Sequence, residues 1–474
     1  MNRDTPGTRQ KVSGRGAAIS VLAGLLLCAG CATYQRKPID SPAVDAALAP
    51  PKPEAVRMAA AKFKHPLLAP MVIDGRDGFS PDEIALMVVI ASPQLRALRD
   101  QRGVAEAQIV QAGILPNPQL GYALDRPTAH NAPGLIAGRN LGLSWEITSL
   151  LGRQDRIAGA RTGAAAFDLS LAWQEWQAAQ DARLRAFRIL SLRARLPLLR
   201  AIETDLAATL DSLRKAMALG QETIGDVTTA SEAWIAAQSA RLAAEQDYQS
   251  ELAALNLSLG QPAEAEIALK PATSFPELPP ETSAAPLLQG LEQRRLDLAA
   301  LALGYESEEA GLRAAIKAQF PKIGLNFAKV NDTSDVRTHT YGVTIDLPLF
   351  DRNQGNIAIA RATRQQLFDE YAARVAEARS EVVLILGKIA AVRAQLATDT
   401  SALPALQQQV TAYEKALQTN NASVPAYRAA RSLFTTRKLD ELTLRQQMIE
   451  LDVALEIATG RPLLNRSESS SSSP

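Results

Sequence analysis

Residues 347–361 read LPLFDRNQGNIAIAR. An apolar strand stops at Pro348, a polar turn follows from Asp351 to Asn356, and a helix of small and apolar residues begins at once. Proline cannot donate to a strand ladder, which suits a strand end. Gly355 offers the backbone freedom for the change of direction. Upstream, Tyr341, Val343, Ile345 and Leu347 alternate with Gly342, Thr344, Asp346 and Pro348. Alternation of period two gives the strand one apolar face and one small or polar face. Downstream, from about Gln354 to Thr419, the only helix breaker is Pro404. A helix of roughly 65 residues extends about 100 Å, farther than a single globular core requires.

The same junction occurs twice. Gly142 in LGLSWEI answers Gly342 in YGVTIDL, Ile157 and Arg161 answer Ile357 and Arg361, and Gly260 and Pro262 answer Gly460 and Pro462. Each pair is 200 residues apart by number. LPNPQLGYAL answers FPKIGLNFAK at a spacing of 205, so the hairpin loop of the first copy is the longer one. Two copies of one unit follow, 80–262 and 287–462, joined by the Pro-rich linker 263–286. Each copy opens with a helix. The first starts at Ser80 or Asp82 and ends before Pro116; its counterpart ends before Pro321. Each continues through a hairpin, 117–148 or 321–348, whose strands of about ten residues have bilayer-crossing length when tilted. Alternation alone fits a soluble half-buried hairpin equally well. Long helices complete each copy, about Arg153 to Leu219 (with one breaker, Pro197) and Asp226 to Leu259 in the first, and Gln354 to Thr419 and Val424 to Thr459 in the second. Leu206, Leu210, Leu213 and Met217 recur at helical spacing and mark a coiled-coil-like seam.

Composition narrows the function. Lys plus Arg total 51 and Asp plus Glu 50, a net charge of +1 that gives no electrostatic footprint for nucleic acid. The three histidines, His65, His130 and His339, lie far apart and near no cysteine, which argues against a histidine-built metal site. His130 and His339 fall in or beside the hairpin loops. There is no phosphate loop and no nucleophile with a neighbouring base, so no enzyme and no cofactor are expected. Glu146 and Asp346 occupy equivalent strand positions. A paired-carboxylate site is conceivable, but their symmetry more simply predicts acids facing a lumen near the strand ends.

The N-terminus carries Arg3, Arg9, Lys11 and Arg15 before an apolar run from Ala17 to Gly30. That run has the length of a signal segment and is short for a membrane span. It ends in LLLCAGCATY, which resembles a bacterial lipoprotein signal with Cys31 as the lipidated first residue. Cys28 stands where that pattern prefers Leu, and an ordinary signal peptide is the alternative. Residues 1–30 are read as signal, 31–79 as a Pro/Ala-rich tether with little regular structure, and 463–474 as a disordered Ser-rich tail.

With the lipoprotein signal, the two helix–hairpin–long-helix copies and LPLFDRNQGNIAIARA together, the chain resembles the TolC family of outer-membrane efflux channels over about residues 80–462. The quoted junction is especially similar to the branch serving resistance-nodulation-division pumps for metals and other toxic compounds. The resemblance implies a mainly α fold with a small membrane β-barrel: a homotrimer with a twelve-stranded barrel, four strands per protomer, above a long α-helical barrel. It implies an outer-membrane location, lipid contact, and partnership with a periplasmic adaptor protein and an inner-membrane pump. Physical argument points the same way, because two bare sheet edges cannot stand in lipid. In the family, acids near the second-copy turn narrow the pore. Here Ser423, Val424, Pro425, Ala426 and Tyr427 hold no acid, and Asp226 lies in the first-copy turn instead. Asp226 and Tyr427 are therefore the constriction candidates. The competing function is a lipid-anchored periplasmic coiled-coil scaffold, which has no need of bilayer-length strands.

Overall fold

A computed structural model of the protein describes residues 32–50, 52–128, 134–270, 283–419 and 421–462. Residues 1–31, with the expected signal and Cys31, His130, residues 271–282 of the linker and the Ser-rich tail lie outside the described residues. The chain divides into a short unit, Met1–Ala49, and a main unit, Pro50–Pro474. In the short unit, α1 (Ser41–Leu48) is capped by Asp40, whose carboxylate accepts from the Ala43 backbone N–H at 3.0 Å.

The main unit corrects the tether. Residues 53–79 hold a helix, α2 (Pro53–Ala61), and a docked segment behind it. Val56 and Ala60 are buried with Ile73 and Leu86. Leu68 joins Trp173 and Trp176 in a second cluster. Phe79 then pairs with the start of the linker, donating to Ala268 O at 2.7 Å and accepting from Lys270 N at 3.0 Å. The Pro- and Ala-rich composition hid enough large apolar residues to bury this stretch.

The expected first helix is two helices, α3 (Pro81–Ala91) and α4 (Pro93–Gly113). Ser80 and Glu83 form a reciprocal capping box at the start of α3. Ser92 ends α3 and caps α4, because Pro93 tolerates a first-turn position but disfavours helix in the residue before it. Strands β1 (Gln119–Asp125) and β2 (Gly138–Glu146) follow. A short 3₁₀ turn, Thr148–Leu150, leads into α5 (Arg153–Ala218), and α6 (Ile224–Ser258) returns. The second copy runs α7 (Ala284–Leu288), α8 (Leu291–Arg294), α9 (Leu296–Lys317), β3 (Lys322–Asn331), β4 (Arg337–Asp346), α10 (Gln354–Gln418) and α11 (Val424–Thr459). Pro197 and Pro404 interrupt neither long helix; both sit inside α5 and α10 with exposed rings.

The two copies turn at matching places. Gly260 and Gly460 end the return helices with φ of +69° and +64°. A Cβ at Gly260 would stand 3.0 Å from Pro93, and one at Gly460 would stand 3.0 Å from Arg295, so each glycine packs against the start of its own copy's entry helix. The opening junction differs from expectation at one residue. Asn353, not Gly355, takes the left-handed conformation, with φ of +60°, and Gly355 already lies inside α10. Asparagine tolerates this region, and its side chain is held by donating to Ala315 O at 2.8 Å.

Candidate functional site

The four strands form one antiparallel sheet in the order β1-β2-β3-β4. The register puts Leu120, Leu143, Phe327 and Tyr341 in one row across it. Directly paired residues share a face, so this row belongs to an apolar face that continues through Trp145, Leu325 and Val343. The opposite face carries Gly121, Gly142, Ala328 and Thr340 in a row, with Ser144 beside Asn326. Tyr341 is 76% exposed and Val343 is 62% exposed, so the apolar face is uncovered in one chain. β1 and β4 are the sheet's edges, each with a partner on one side only. β1 is shorter than expected, at 7 residues. It is an edge, and Pro127 follows soon after it. Among the described residues no helix is long and apolar enough to cross a membrane.

Glu146 and Asp346 end β2 and β4 and lie on the small, polar face, at the end from which the long helices leave. Glu146 is half-buried and accepts from the Ser149 backbone N–H at 3.0 Å. Asp346 is exposed and lies opposite Lys322 in the register. The copies are latched here by Thr148, whose hydroxyl donates to Pro321 O at 3.0 Å and accepts from Ile323 N at 2.6 Å. His339 sits near the start of β4, opposite Lys329. Among the described residues no cluster of three or more His, Cys, Asp or Glu could hold a metal.

The far ends of the long helices lie together. Arg428 on α11 reaches Ser212 on α5 at 3.5 Å, and Arg431 reaches Asp205 at 3.2 Å. This brings both helix turns to one tip. Asp226 there completes a capping box with Thr223, whose hydroxyl and backbone N–H both donate to its carboxylate. These hydrogen bonds hold the Asp226 carboxyl below its ordinary range. Tyr427 lies in the first turn of α11 and is half-buried.

Sequence reading missed the polar core between these ends. Glu456 has no exposed surface and accepts from Arg183 Nη1 and Gln180 Nε2, both at 2.8 Å. Arg183 also lies 2.8 Å from Asp82. Arg295, 1% exposed, pairs with Asp297 and Glu381 and stacks over Trp173 at 5.2 Å. His65 accepts from Leu67 N and Leu68 N on Nδ1, which leaves Nε2 to donate to Ala172 O at 2.9 Å. Burial pushes its pKa down, against the pull of that carbonyl and of Glu175. Only a charge inside an otherwise apolar helical stripe, as at Glu456, signalled any of this.

Residues 287–461 match the outer membrane efflux protein family. No curated protein matches the chain. Solved structures that share its fold include three outer membrane proteins. The outer membrane protein VceC of Vibrio cholerae is 19% identical, with a TM-score of 0.61, over 81% of this chain and 96% of that one. The CmeC outer membrane channel of Campylobacter jejuni is 14% identical, with a TM-score of 0.66, over 82% and 87%. The open state of the MtrE outer membrane channel of Neisseria gonorrhoeae is 16% identical, with a TM-score of 0.64, over 82% and 92%. The second copy carries the sequence pattern of the outer membrane efflux protein family, and the chain shares the fold of these outer membrane channels.

Proposed function

We propose that three copies of this chain close a twelve-stranded barrel in the outer membrane and a helical tube beneath it. The assembly is a passive conduit for toxic compounds or metal ions. One observation carries this reading: a sheet with one apolar face, one small polar face and two free edges sits at one end of helices about 100 Å long. Lipid requires the edges to close, and closure needs further copies. A periplasmic scaffold has no use for an exposed apolar sheet. An adaptor protein and an inner-membrane pump, of the resistance-nodulation-division type by resemblance, supply connection and energy. Cys31 is the proposed lipid anchor, Glu146 and Asp346 line the lumen, and Asp226 and Tyr427 narrow its periplasmic tip.

Reconstitution into planar bilayers tests the proposal. Stepwise conductance from particles of trimer mass is expected. Asp226→Asn and Tyr427→Ala should each raise the single-channel conductance or shift its cation preference. Trimers that never conduct would favour the scaffold, and unchanged conductance in both variants would remove these residues from the constriction.

A further inference from the structure

The second copy ends against its own beginning. Gly460 closes α11 and stands against the backbone of Arg294 and Arg295: a Cβ there would lie 3.1 Å from Arg294 O and 3.0 Å from Arg295 Cα. Two arginines flank this contact, Arg294 at the end of α8 and Arg461 directly after Gly460. Both are half-buried. We infer that Arg294 and Arg461 form a binding site for a small oxyanion of the phosphate class, which ties the end of α11 to α8.

The pair is short of acceptors. Arg294 donates through its Nη groups to Leu287 O and Gln289 O at the end of α7. Its Nε is buried and has no partner among the described residues, and the same holds for Arg461 Nε. The acids nearby are already engaged. Arg379 on α10 holds Glu292, and Arg295 holds Asp297 and Glu381. Burial and the charge of Arg461 hold the Arg294 pKa below its ordinary value, against the pull of Glu292. Buried donors without partners destabilise a fold, and two like charges side by side repel. An oxyanion between the two side chains relieves both, and guanidinium forks match its geometry.

The fold itself does not require these charges. In the first copy Gly260 stands against Ala91 O and Pro93, as Gly460 stands against Arg294 O and Arg295. Gln261 N donates to Asn256 O at 2.9 Å, as Arg461 N donates to Glu456 O at 3.3 Å. Ala91 and Gln261 therefore hold the places of Arg294 and Arg461, and the same turn closes without a charge. Position also selects the source of the anion. The 22 residues of α9 separate Arg294 from the sheet, about 33 Å of helix. Lipid headgroups around the sheet lie beyond that reach, so the ligand is a free oxyanion.

Equilibrium dialysis of inorganic phosphate against the full-length protein in mild detergent, in chloride buffer of fixed ionic strength, tests the site. Saturable binding to a single class of site is expected, with a melting temperature that rises along the same curve. Arg461→Gln installs the residue of the first copy and should fold as the native protein does. It should weaken phosphate about tenfold, which corresponds to one charge-assisted hydrogen bond. Arg461→Lys keeps the charge without the fork and should fall between the two; it decides the same question if the glutamine variant does not fold. Transfer into phosphatidylglycerol nanodiscs should leave the affinity for phosphate unchanged. Loss of phosphate binding there would make a lipid headgroup the occupant and overturn the assignment to a free anion. Phosphate uptake that never saturates, or an affinity unchanged by substitution of Arg461, overturns the site itself.

Discussion

Glu456 shows how much one side chain holds. It is fully buried and joins the last helix of the second copy to Arg183 and Gln180 of the first. Removing one member of a buried pair costs about 3–5 kcal/mol, because the charge left behind stays desolvated. Asp82 remains beside Arg183, so Glu456→Ala should cost about 3 kcal/mol, the lower end of that range. Thermal melting in detergent measures it, with Glu456→Gln expected to fall between the variant and the native protein. His65 carries a pH dependence. Its folded pKa lies below the ordinary value of 6.5, chiefly through burial. The unfolded segment therefore binds the proton first, and stability is whole above pH 6.5 and declines as pH falls from there toward the lowered pKa. Protonation also removes the Nδ1 acceptor used by Leu67 and Leu68. Protection of the amides over residues 62–73 from hydrogen exchange, corrected for the intrinsic pH dependence of exchange, should fall between pH 7.5 and 5.5, and in His65→Phe that fall should vanish.

Proline has two meanings among the elements. At Pro93 it separates α3 from α4, since Ser92 supplies a cap and both pieces have a core to pack on. At Pro197 and Pro404 the helix continues, because α6 and α11 brace it on both sides of the missing hydrogen bond. An interior proline costs a helix about 3 kcal/mol or more. Pro197→Ala should therefore raise the melting temperature, since the ring is exposed and fills no core position. A fall would show that the packing of α5 requires a bend there. The alternation of the strands was legible residue by residue. The length of β1 was not, because only Gln119 to Asp125 find partners on β2 and Pro127 follows soon after.

For the whole molecule, the two sheet faces predict opposite outcomes for one substitution. An arginine on the lipid side of a membrane strand costs about 2–4 kcal/mol at the bilayer midplane, and one on the lumen side does not. Val343 lies opposite Leu325 on the apolar face, and Thr340 lies opposite Ala328 on the small face. Val343→Arg should reduce the amount of assembled protein recovered from the outer membrane. Thr340→Arg should leave assembly unchanged and shift reconstituted channels toward anions. Equal losses in both would reject the assignment of faces.

The sequence by itself determined the two strand faces, the 200-residue repeat, the long helices and the sites of their turns. The strand faces, helices and turns are local patterns, written within a few residues of one another, and the repeat is their recurrence 200 positions later. Tertiary structure alone decided that residues 53–79 dock as part of the core, and that Asn353 makes the turn credited to Gly355. It also decided that Arg183 meets Glu456 across 273 positions of chain. Such contacts depend on which helix stands beside which, and lateral order leaves no periodic trace. The physical reason is the same in each case: a pattern shows which face of an element must be buried, and only packing shows what buries it.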